Sequence, residues 1–123
     1  MNRQLGRLAA AFAVALGVLE AAWATDATWN VDSAGAWTTP GNWTNSLVPN
    51  GVGDSATFGG AITANRIVTL DAPQTVGVVT FDDNNSYTLS GTNNMTVDKV
   101  GGVATVEAVN GAHTISSPIF LAD

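Results

Sequence analysis

From Arg66 onward the chain consists of short runs of β-branched and aromatic residues, each closed by turn residues after a nearly constant interval. Ile67-Val-Thr-Leu70 ends at Asp71-Ala-Pro73, Val76-Gly-Val-Val-Thr-Phe81 at Asp82-Asp-Asn-Asn-Ser86, and Tyr87-Thr-Leu89 at Ser90-Gly91. Met95-Thr-Val97, Val103 to Val109, His113-Thr-Ile115 and Ile119-Phe-Leu121 continue the series, with Asn110-Gly111 the strongest two-residue turn signal. Leu70, Phe81, Leu89, Val97, Val106 and Ile115 mark the runs at spacings of 11, 8, 8, 9 and 9 residues. Such spacing has two physical solutions. One is an antiparallel sandwich closed by hairpins; the other is a β-solenoid, in which short strands separated by bends stack on those of the next winding. Strand brevity and the Gly and Asn connectors, suited to tight bends with positive φ, favour the solenoid. Leu121-Ala-Asp123 follows a run with no polar cap, so residues 61–123 read as solenoid repeats truncated at the C-terminus. The antiparallel β-sandwich is the alternative.

Composition supports an all-β chain. Past residue 24 no segment carries apolar residues at helical spacing, and the helix-forming surface residues shrink to Lys99 and Glu107. Before it lies a secretory pattern: Arg3 and Arg7, an uncharged run from Leu8 to Leu19, then Ala22-Trp23-Ala24 as a small-x-small site. The run is too short to span a bilayer, which takes about 20 residues. Residues 1–24 therefore read as a Sec-type signal peptide cut before Thr25, leaving no stable membrane insertion in a secreted or cell-surface product. Its loss takes the formal charge from −6 to −7, with Arg66 and Lys99 the remaining fixed cations. So acidic a chain is unsuited to nucleic acid or anionic membranes, whose binding needs clustered Lys and Arg. Export without any cysteine suits a bacterial host.

Residues 25–60 differ in character, placing Trp29, Trp37 and Trp43 among Gly, Asn and Pro. They read as a cap in which the three indoles pack with Phe58 over the first winding. The other reading is a carbohydrate-binding module whose Trp29, Trp37 and Trp43 stack on cell-surface or extracellular polysaccharide. Gly41-Asn-Trp43, Val48-Pro-Asn50, Gly53-Asp-Ser-Ala-Thr-Phe58, Val68-Thr-Leu-Asp71, Val79-Thr-Phe81 and Tyr87-Thr-Leu-Ser-Gly91 together resemble the N-terminal region of bacterial surface proteins with autotransporter-associated β-strand repeats, often bearing a PEP-CTERM sorting tail. The resemblance implies a right-handed parallel β-helix with a role at the cell surface. Neither a translocator barrel nor a sorting tail is present in the sequence.

Catalytic chemistry finds little material. There is one histidine, His113, with no cysteine and no Gly-x-Ser-x-Gly elbow. His113 reads as an ordinary surface or edge residue. Zinc lacks its soft ligands, and Gly101-Gly102 is no phosphate loop. Asp82-Asp83-Asn84 can offer oxygens to Ca²⁺ if they share a turn, although turn-forming hydrogen bonds explain the same residues. The expectation is an exported, adhesin-like structural protein with no catalytic activity and no cofactor. Its partners would be surface polysaccharide or further repeats of the same polypeptide.

Overall fold

The computed structural model describes residues 23–122, so the apolar leader and Ala22 of its cleavage site lie outside the described residues. Eleven short strands make up the regular structure: β1 (Asp26–Thr28), β2 (Gly35–Ala36), β3 (Ser55–Phe58), β4 (Arg66–Thr69), β5 (Gln74–Val76), β6 (Val78–Asp82), β7 (Tyr87–Ser90), β8 (Met95–Val97), β9 (Thr105–Asn110), β10 (Thr114–Ile115) and β11 (Ile119–Leu121). Two 3₁₀ turns, Pro40–Asn42 and Thr44–Ser46, lie between β2 and β3.

The strands form three sheets, ordered β1-β3-β6-β9, β2-β4-β7-β10 and β5-β8-β11. From β3 onward the chain visits the three sheets in rotation, so sequence neighbours lie in different sheets and each strand pairs with the strand three places on. All eight strand pairings are parallel. Asp26 lies opposite Ser55, Ser55 opposite Val78 and Val78 opposite Thr105. The antiparallel sandwich is therefore not the fold. Asn110-Gly111, a hairpin signal by sequence, instead turns the corner from β9 toward β10, with Gly111 at φ 83°. The single antiparallel bridge among the described residues joins Trp29 to Trp43.

Strand alternation explains the core. In β3, β6, β7 and β8 every second residue is buried: Ala56 and Phe58, Val79 and Phe81, Tyr87 and Leu89, Met95 and Val97. Parallel register stacks these into columns, such as Ala27–Ala56–Val79 and Val76–Val97. The alternate residues face out, and half of them are threonine, as in Thr57–Thr80, Thr88 and Thr96. Threonine suits a pleated face with one side in water.

The run Val76-Gly-Val-Val-Thr-Phe81 is two strands rather than one, because the chain turns from the third sheet to the first at Gly77. Gly77 N–H donates to Asp54 O at 2.7 Å, and Val78 N–H shares that acceptor at 3.1 Å. A Cβ on Gly77 would lie 2.5 Å from Gly53 Cα, so this corner has no room for a side chain. Residues 25–60 likewise do more than cap, since β1 and β3 begin the first sheet and β2 the second.

The columns end differently at the last winding. Val106 stacks on buried Val79 yet is 40 % exposed; Leu121, on buried Val97, is 80 % exposed. Ile119, on buried Met95, is also exposed, as are Val103, Val109 and Phe120.

Candidate functional site

The tryptophans were the leading site candidates by sequence, and the structure puts them in the core. Trp29, Trp37 and Trp43 are 0 %, 0 % and 2 % exposed. Trp43 meets Trp29 edge-on at 5.3 Å and Trp37 at 5.0 Å, and Phe58 lies against all three. Trp37 Nε1–H donates to Pro49 O at 2.9 Å, and Trp43 Nε1–H to Trp37 O at 2.7 Å. A sugar needs an open aromatic face, and buried indoles offer none; the stacking platform on Trp29, Trp37 and Trp43 is corrected to a packed lid. Phe58 then stacks on Phe81 at 5.2 Å, and Phe81 on the His113 ring at 4.7 Å, which carries the aromatic column to the last winding.

His113 is thus half-buried and stacked. Its Nδ1 accepts the Tyr87 N–H at 3.1 Å, which leaves Nε2–H to donate to Asn110 O at 2.7 Å. Both nitrogens are committed to holding the β9–β10 corner. Tyr87 beneath it donates its hydroxyl to Gly59 O at 2.5 Å. Burial, then the negative charges of Asp83 and Asp32, push the phenol up to about 12.

The acidic residues act mainly as turn and clamp acceptors. Asp83 Oδ1 accepts Asn85 N–H at 2.6 Å, an Asx turn, while Asp82 Oδ1 accepts Asn110 Nδ2–H at 2.6 Å from the next winding. Asp82 and Asp83 are thus engaged separately, and among the described residues no three His, Cys, Asp or Glu side chains group as a metal cage. Two further clamps escape sequence reading because their partners lie a winding apart. Asp32 accepts the Thr63 hydroxyl at 2.6 Å and Thr63 N–H at 2.9 Å, with Arg66 Nη2 at 2.9 Å; these contacts lower its carboxyl to about 2. Asp71 accepts both the Thr38 hydroxyl and Thr38 N–H, and the hydroxyl bond above all holds its carboxyl below the usual range.

A cleft of about 660 Å³ opens where β1 meets the loops before β3 and after β8, lined by Trp23, Ala24, Thr25, Asn50–Asp54, Lys99 and Val100. Asp54 sits in its wall, 8 % exposed. Its Oδ1 accepts Thr25 N–H at 2.7 Å and its Oδ2 accepts Asn50 N–H at 3.0 Å. Ala24 and Thr25, expected to flank the processing site, therefore lie beside a buried carboxylate. By sequence, Val48-Pro-Asn50 and Gly53-Asp54 belong to the Trp-rich entry segment and to a resemblance, without a role of their own. Their local signal, turn glycines flanking an acid, does not reveal a partner 29 residues away. No protein-family model, curated protein or solved structure matches the chain.

Proposed function

We propose that the chain is an exported structural segment of a surface-displayed, right-handed parallel β-solenoid, adhesin-like in role and acting through shape rather than catalysis. The observation that carries the reading is the last winding. Buried apolar columns run through the stack and continue into Val106, Ile119 and Leu121, which face water. Strands β9, β10 and β11 stand at the ends of their sheets, each with one ladder edge that no strand among the described residues pairs. Free edges beside exposed apolar side chains suit strand addition. The occupant that fits best is another winding of the same kind, from further repeats of the same polypeptide. The likeness of the Trp-rich and Val-Thr-Leu-Asp segments to autotransporter-associated repeat proteins supports the same role. Handedness follows the general rule that parallel crossovers within one sheet are right-handed in about 98 % of cases. The leader pattern supports export by a Sec-type route in a bacterium, and the acidic, threonine-rich exterior keeps a rod soluble.

The test has two readouts. Expressed in a bacterium with its leader, the chain should leave the cytoplasm. The purified product should self-associate with rising concentration by light scattering, and V106K/L121K should reduce this. Protein confined to the cytoplasm refutes export. A monomer up to hundreds of micromolar refutes the strand-adding edge.

A further inference from the structure

We infer that Asp54 is the counter-ion of the processed N-terminus: removal of the leader before Thr25 frees an α-ammonium that pairs with the Asp54 carboxylate and locks β1 onto β3. The inference rests on the export reading above. It begins from an imbalance of charge. Asp54 is 8 % exposed and accepts two backbone N–H bonds, from Thr25 and Asn50. Yet the one ion pair among the described residues is Arg66–Asp32, elsewhere on the surface. Lys99 lines the same cleft without coming within salt-bridge distance. A buried carboxylate with no cation is costly, and the missing partner is most economically a charge placed on an atom already in contact.

The Thr25 nitrogen is that atom. It lies 2.7 Å from Asp54 Oδ1, and Thr25 O accepts Ser55 N–H at 2.8 Å, so the residue is strapped to β3 from both sides. Hydrolysis of the Ala24–Thr25 bond adds one water: Ala24 leaves with a carboxylate, and the Thr25 nitrogen becomes an amine that takes up a proton at neutral pH. One neutral donor becomes three charged ones without moving the strand. Trp23 is 87 % exposed, so its departure removes little packing. The carboxylate is held ready by its own loop: Asn50 N–H binds Oδ2, and a Cβ on Gly51 would lie 3.1 Å from that oxygen.

An α-ammonium paired this closely with a carboxylate has its pKa raised above the ordinary value of about 7.7–8.0. The added stability is complete below pH about 7.7 and is lost as pH rises through the higher folded value. Besides Asp54, the charged group lining the cleft is Lys99, while Asp26 and Asp98 are sequence neighbours of Thr25 and Lys99. The full chain is expressed with its leader, and the exported product is identified by terminal sequencing and intact mass. Its thermal midpoint is then followed from pH 7 to pH 10 for the wild type, D54N and K99M. The expected first residue is Thr25. The wild-type midpoint should fall by about 5 °C across that range, K99M should keep this fall, and D54N should lose it. Should D54N not fold, the reactivity of the wild-type α-amine toward an acylating reagent reads the same raised pKa. Protein retained with its leader overturns export and this inference together. A first residue other than Thr25 overturns the inference alone. Cleavage at Thr25 with a D54N-independent pH profile, or with an α-amine of ordinary reactivity, overturns the ion pair and leaves export standing.

Discussion

Replacing Gly77 by alanine probes how closely successive windings approach. The added Cβ would lie 2.5 Å from Gly53 Cα, 2.9 Å from its carbonyl carbon and 3.0 Å from its nitrogen. All three are backbone atoms, so no side-chain rotation relieves the clash. Gly53 holds φ 84°, which restricts its own room to move. Relief requires the windings to part, stretching the bonds from Gly77 N–H and Val78 N–H to Asp54 O. Overpacking of a tight site costs about 1–3 kcal/mol, and weakening two hydrogen bonds adds about 1 kcal/mol each. The expected loss for G77A is therefore roughly 3–5 kcal/mol, or about 15–25 °C in midpoint for a domain of this size. G41A is the control, because a Cβ there meets nothing within 4 Å. Thermal unfolding followed by circular dichroism gives both values. G77A within about 1 kcal/mol of wild type would refute the close approach.

Other substitutions read the core and its charges. W43A should cost about 3–5 kcal/mol in urea unfolding, and W37F about 1–3 kcal/mol, because Pro49 O loses its donor; a near-neutral W43A would argue against a packed aromatic lid. Asp32, lowered to about 2, contributes stability that is present above its unfolded value of about 3.9 and lost as pH falls through 2. D32N should flatten that part of the acid-unfolding curve, and an unchanged curve would remove the Thr63–Arg66 clamp from the account. Tyr87 is the sole tyrosine, so its ionisation can be followed by ultraviolet absorbance. The native phenol should titrate near 12, against about 10 in denaturant, and the stability it reports should be complete below pH about 10 and lost as pH climbs past 12. A native midpoint near 10 would contradict its burial.

Much of the fold is legible in the chain because period-two alternation and strand spacing are local signals. The runs at Tyr87-Thr-Leu89, Met95-Thr-Val97 and Ile119-Phe-Leu121 coincide with β7, β8 and β11 to within a residue. Corners are less legible. Val76-Gly-Val78 reads as one continuous run, since nothing local shows that Gly53 packs against Gly77 from the preceding winding. Asn110-Gly111 supplies the same left-handed bend to a corner as to a hairpin, so it marks a change of direction without saying which. Val106 and Ile115 carry the core pattern of earlier runs, yet Val106 is 40 % exposed because burial there depends on what stacks above it. The site candidates failed for a related reason. Clustered indoles read first as a lid in sequence and second as a sugar platform, and contacts such as Trp37 to Pro49 decide for the lid.

The stacking of third-neighbour strands in parallel is most directly tested by cross-strand nuclear Overhauser effects in isotope-labelled protein. Parallel windings place Arg66 beside Tyr87, Gln74 beside Met95, and Val79 beside Val106. Contacts between their backbone protons, in the pattern of parallel ladders, are the expected result. Antiparallel contacts between sequence neighbours, such as β6 with β7 or β7 with β8, would contradict the stacked windings and the surface role built on them.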